Sequence, residues 1–144
     1  MIGAAVALQA GVSRPTVSLT DIQIHLWYET TGRLSSDVTQ QPDFVGRNVI
    51  IGAGSAEEPA NDLLIVVELK TSGEANVSTP LTVVATNAKG KVLASREFRG
   101  FLVTGGQVHW PLLVRNAGCA GEVEVTARFG RQHRSEMLSL QCAE

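Results

Sequence analysis

The sequence is poor in the side chains that most catalysts and ligand platforms rely on. Three histidines, two cysteines, two tryptophans and a single tyrosine are spread over 144 residues. No H-x-H, H-E-x-x-H or C-x-x-C spacing occurs, so a zinc site would need distant residues to converge. There is no G-x-S-x-G elbow either, which removes the most legible signature of a serine hydrolase. Ser and Asp are plentiful, so a convergent triad stays open as a third reading, without a residue to point at. The scarcity of aromatic residues argues against a stacking platform for bases or sugars. Charge is balanced, with 12 Lys and Arg against 14 Asp and Glu. No run of one sign suits a nucleic acid or an anionic membrane. No apolar stretch is long enough to span a bilayer as a helix.

What the chain does have is strand signal. Its length and its 44% hydrophobic content fit one domain with a self-sufficient core. Nowhere does a 3.6-residue apolar period persist for three turns. "VSLTDIQIHLWYE" alternates Ile22, Ile24, Leu26 and Tyr28 with Gln23, His25 and Trp27, the pattern of a half-buried strand. A polar loop, "TTGRLSSDVTQQPDFVGRN", follows, then a short strand "VII" and, further on, "LLIVVELKT". "LTVVATNAKGKVLASREF" reads as a hairpin turning at Asn87-Ala88-Lys89-Gly90, with Gly free to take positive φ. "GFLVTGGQVHWPLLV" reads as a second hairpin about Gly105-Gly106, its later strand confined to an edge or a bulge by Pro111. "EVEVTARF" and "EMLSLQC" close the chain. About seven to nine such strands without helices predict an all-β, antiparallel sandwich in a single domain over residues 16–144. Residues 1–15 lie outside it. "MIGAAVALQA" carries the A-x-A form of a signal-peptidase site but no basic n-region, so it reads as a trimmed signal remnant or a flexible tail.

"VIIGAGSAEEPAND" has the look of a nucleotide-binding loop. The third glycine position of a dinucleotide fingerprint is Glu57, and Pro59 would disrupt a helix starting there. The distance to the next strand is at or below the minimum for a helical crossover. No nucleotide is expected, and no cofactor. Glu57, Glu58 and Asp62 could supply oxygen ligands to calcium, though in no EF-hand spacing. A small calcium- or carbohydrate-binding module using the acidic loop 52–62 is therefore the alternative reading.

Cys119 and Cys142 carry the strongest constraint. Two cysteines fit a disulfide, a weak metal pair or two buried thiols, and strand register discriminates among these. If the last two strands form a hairpin, the register that sets Cys119 against Cys142 also sets Gly121 against Leu140 and Val123 against Leu138. Cysteines and apolar residues then share one face, with Glu122, Glu124, Thr126, Arg128, Met137, Ser139 and Gln141 on the other. Only Glu136 opposite Val125 sits uneasily there. The register favours a disulfide closing a loop of about two dozen residues, worth about 3 kcal/mol on the loop-entropy account. A structural disulfide implies an oxidising compartment, so the expected location is periplasmic or secreted.

Two surface groups remain. Arg128, Arg131 and Arg134 gather with His133 around the last turn, a solvated tip or a contact for an anionic partner. Trp27, beside His25, is either packed beneath the following loop, the plainer reading, or exposed as a partner anchor. Asn76-Val77-Ser78 matches an N-glycosylation sequon, which matters only in a eukaryotic secretory pathway.

"LTVVATNAKGKVLASREF", followed by an apolar strand and a Cys-bearing final hairpin, resembles the immunoglobulin-like sandwiches of bacterial envelope proteins over roughly residues 63 to 142. The resemblance implies an immunoglobulin-like fold and carries no function-specific motif. It departs from the antibody pattern in that the cysteines pair across one hairpin. The expectation is a non-catalytic, extracytoplasmic interaction module that binds a protein partner or self-associates through loops or an edge strand.

Overall fold

Burial follows the alternation of the sequence. The computed structural model describes residues 14–47 and 56–142. Its strands, in chain order, are β1 (Val17–Tyr28), β2 (Arg33–Leu34), β3 (Val45–Arg47), β4 (Asp62–Thr71), β5 (Ala75–Val77), β6 (Leu81–Asn87), β7 (Val92–Phe98), β8 (Phe101–Val103), β9 (Gln107–Val114), β10 (Gly121–Phe129) and β11 (Gln132–Gln141). In β1 the buried residues are Leu19, then Ile22, Ile24, Leu26 and Tyr28. The step of three after Leu19 is a bulge at Thr20, where the register with β4 shifts, so both halves of the strand keep their apolar residues inward.

Two sheets form the sandwich, in the orders β2-β1-β4-β9 and β3-β11-β10-β6-β7, beside a small β5-β8 ribbon. We call the first two sheet A and sheet B. Among the described residues all pairings are antiparallel except β3 with β11. The first, second and fifth of the long strands (β1, β4, β9) share one sheet, and the β6–β7 and β10–β11 hairpins share the other. That division, with β3 returning the chain to lie parallel to the last strand, is an immunoglobulin-like Greek key. Gly46 permits the return: a Cβ there would come within 2.5 Å of Leu140 Cδ2.

The core lies between the sheets. Ile24, Leu26, Ile65, Val67 and Leu69 from sheet A meet Leu81, Val83, Val123, Val125 and Ala127 from sheet B, all of them 0% exposed. On the β7–β9 side, Trp110 packs against Phe98 and Phe101 with ring centroids 4.6 and 5.0 Å away, and Arg96 covers Phe98 at 4.5 Å.

The β6–β7 hairpin turns where expected, with Asn87 Oδ1 accepting from the Lys89 and Lys91 amides and Gly90 at φ 78°. The second expected hairpin does not form. β8 pairs with β5 and β9 with β4, because Gly105 and Gly106, at φ 70° and 87°, lead the chain from the ribbon into sheet A. Gly106 O there accepts from Thr71 N. Pro111 does sit in an edge strand, β9. Residues 1–13 of the expected tail and the short strand at 49–51 lie outside the described residues.

Candidate interaction faces

A sheet edge offers unpaired backbone groups to any passing strand, and β1 has such an edge wherever the two-residue β2 does not reach. Side chains occupy it. Gln132 Oε1 accepts from Leu19 N at 2.8 Å, while Gln132 Nε2 donates to Val17 O. Arg134 Nε donates to Leu19 O at 3.2 Å. Asp37 Oδ1 accepts from Ile24 N, and Ser35 Oγ from Leu26 N. These bonds explain the polar residues at inward positions of β11. Gln132 and Arg134 stand in for a missing neighbour strand. Glu136, beside them, faces Asp37 and Asp21; burial first, and then these two charges, push its carboxyl above the usual range, against the pull of Arg134.

The outer face of sheet A is apolar through its middle. Cross-strand pairing places Trp27 between Leu34 and Asp62, His25 beside Leu64, Gln23 beside Val66, and Asp21 beside Glu68. On the far side of β4, Leu113 lies against Leu64, Pro111 against Val66 and His109 against Glu68. Trp27 is 38% exposed, Leu34 45% and Leu113 53%. The loop after β1 therefore does not cover Trp27. It sends Val38 and Phe44 into the core instead. His25 Nδ1 donates to Ser35 O at 2.8 Å, which pins the imidazole against that loop.

At the lower end of this face Glu68 accepts from the Thr20 hydroxyl at 2.7 Å and meets His109 Nε2 at 2.9 Å, with Lys70 Nζ at 3.6 Å. The Thr20 hydrogen bond above all, helped by His109 and Lys70 against the cost of burial, holds the Glu68 carboxyl below its usual range. The hydroxyl donates to the carboxylate and not to the imidazole, so nothing here activates a nucleophile.

Sheet B presents the opposite character. β10 and β11 adopt the register read from the cysteines, from Gly121 opposite Leu140 to Phe129 opposite Gln132. The hairpin closes in two residues, with Gly130 at φ 59°. Its outer face carries Glu122, Glu124, Thr126, Arg128, Ser135 and Ser139, continued by Thr82 and Thr86 on β6. Val84, Val92 and Met137 are its apolar members. Arg128 and Arg131 are exposed at the tip with His133, but Arg134 is committed to β1.

Cys119 and Cys142 are joined, with Cα atoms 4.5 Å apart. Both are exposed at the end of the sandwich, outside the apolar layer that their register continues. In the described part of the acidic loop Glu57 and Glu58 share one guanidinium, and Asp62 is held apart from them. Glu58 Oε2 accepts from Thr31 Oγ1 and Arg33 Nη2 at 2.9 and 3.3 Å, and Glu57 lies 3.9 Å from the same guanidinium. Asp62 Oδ1 accepts from Asn116 N. Among the described residues no cluster of three His, Cys, Asp or Glu is arranged to hold a metal ion; residues 51–55 of the loop lie outside them. No helix among the described residues is long and apolar enough to cross a membrane.

Sequence reasoning singled out Trp27 and His25 but missed Leu34, Leu64, Val66, Pro111 and Leu113. A signal was there: "LLIVV" is a continuous apolar run. An antiparallel strand with one solvated face should alternate.

No known protein family matches the chain, and no curated protein matches it. Among solved structures it is similar to an immunoglobulin-like protein from Pseudomonas aeruginosa, at 12% identity and a TM-score of 0.47, over 88% of this chain and 97% of that one. The fold assignment rests on the strand order.

Proposed function

We propose that this chain is a non-catalytic interaction module that works outside the cytoplasm and binds a protein partner, or a second copy of itself, through the outer face of sheet A. The observation that supports this most is the exposed Trp27, Leu34 and Leu113 around half-buried Leu64 and Val66 on a four-stranded surface. Contiguous apolar surface of this kind marks contact sites in soluble proteins, and a Trp at its border is a typical anchor. This reading sets the contact on a sheet face where the sequence suggested loops or an edge strand; along β1, side chains already occupy the edge. The extracytoplasmic setting is supported by the exposed Cys119–Cys142 bond, which a reducing cytosol would not preserve.

The test is a photo-crosslinking side chain placed at residue 113 or, separately, at residue 137, in cells that produce the protein. The expected result is a discrete adduct from position 113 and none from position 137. Adducts from neither position, or from 137 alone, would overturn the proposal.

A further inference from the structure

We infer that the occupant of this face is a second copy of the chain, packed face to face about a two-fold axis running along β4; the inference rests on the role proposed above for the face. An isologous contact requires a surface complementary to itself. The outward residues of the β1 flank are Asp21, Gln23, His25 and Trp27, and those of the β9 flank are His109, Pro111 and Leu113. Arg115, exposed just beyond β9, continues the second series. The two flanks differ from each other in the way that complementary partners do.

A two-fold axis along β4 lays the β1 flank of one copy over the β9 flank of the other, row on row. Asp21 then faces His109, a carboxylate opposite an imidazole. Gln23 faces Pro111, and His25 faces Leu113. Trp27 faces the Arg115 guanidinium, a pairing of ring face and cation. Leu64 and Val66, on the axis, meet their own copies. Asp62 and Glu68 also meet their copies, but each Glu68 is already held by Thr20, His109 and Lys70 of its own chain and is 14% exposed, and each Asp62 accepts from Asn116 N of its own chain. The other in-plane axis, perpendicular to the strands, also stacks carboxylates, Asp62 over Glu68, and in addition sets Trp27 against Asp21 and Arg115 against His109. The β4 carboxylates weigh equally on both axes, and the flank pairings select the first arrangement.

The area sets the strength. Only β1, β4 and β9 overlap about this axis, and three strands about 4.8 Å apart with seven residues of about 3.4 Å rise give a contact on the order of 340 Å² per copy. That is under half of the roughly 800 Å² per partner in a standard stable interface, so the dimer is a weak, reversible one.

Sedimentation equilibrium of the purified chain from micromolar to millimolar concentration tests this. The wild type should pass from monomer to dimer, Leu113→Lys should stay monomeric, and Met137→Lys should behave as wild type, with melting curves confirming that both variants fold. His25→Cys mixed with Leu113→Cys should cross-link between copies under mild oxidation, while neither alone does. A wild type that stays monomeric throughout, or a dimer that survives Leu113→Lys, would overturn the inference. If the chain is monomeric but the probe at residue 113 captures a different protein in cells, self-association fails and the interaction role stands; if that probe captures nothing, both fail.

Discussion

The two outer faces of the sandwich are built on the same core and differ in what they show to water. Sheet A places Leu64, Val66, Pro111 and Leu113 in successive cross-strand rows, ringed by Trp27, Leu34 and charged residues at the ends. Sheet B sets Thr126 between Ser135 and Val84, and Glu124 between Met137 and Thr86. A solvated antiparallel sheet normally alternates apolar inside with polar outside, and sheet B follows that rule except at Val84, Val92 and Met137. Sheet A breaks it in β4 and β9, the strands where a second contact would explain an apolar outer row. The edges differ as well. The β1 edge is occupied by Gln132, Arg134, Asp37 and Ser35, whereas β9 carries Pro111 and the Arg96 bond to Pro111 O. Both arrangements discourage strand addition along sheet A, which is why the proposed contact lies on its face and not on its rim.

Breaking the comparison outright takes a substitution beneath both faces. Ile65 is fully buried between the outward Leu64 and Val66, and Ile65→Ala is expected to cost about 2–5 kcal/mol, read from chemical denaturation. Removing the disulfide acts mainly on sheet B. Cys119→Ser with Cys142→Ser releases the end of β11, and a loss of about 3 kcal/mol is expected in the same assay. Alkylation without reductant should label no cysteine in the native wild type.

The comparison is sharpened by paired surface changes. Trp27→Ala is expected to weaken association by about 2 kcal/mol, close to thirtyfold, while leaving stability within about 0.5 kcal/mol. Met137→Lys, at the most exposed apolar residue of sheet B (58%), should change neither. Binding isotherms and melting curves together check both statements.

The smallest expected effects concern two carboxylates with opposite signs. Glu68 has a folded pKa below its unfolded value near 4.5, so its contribution is complete above that value and is lost as pH falls through the folded one. Glu68→Gln should flatten the acid side of the stability profile. Glu136 has a folded pKa above its unfolded one, so its favourable contribution is present below the unfolded value and disappears as pH rises through the folded one. Glu136→Gln should raise the melting temperature at neutral pH and lose that gain in acid.

Much of the architecture was legible because period-two burial and cysteine register are local arguments. β1, β4, the β6–β7 hairpin and the β10–β11 ladder all follow from residues a few positions apart. Long-range choices were not legible in the same way. β8 abandons β9 for β5, and nothing in "GFLVTGGQVHW" distinguishes a hairpin turn from a crossing between sheets. Glu136 looked misplaced because its explanation, a β1 edge answered by β11 side chains, lies more than 100 residues away in the chain. The candidate face was half legible: Trp27 and His25 stood out by type, whereas Leu64 and Val66 were hidden inside an apolar run that looked like core.

The most direct measurement of the account is methyl-resolved NMR of the dilute chain, repeated on the assembled species. The expected result is that methyls of Leu34, Leu64, Val66 and Leu113 shift or broaden while those of Val84, Val92 and Met137 stay in place. Perturbation centred on the sheet B methyls, or spread evenly over both faces, would contradict it.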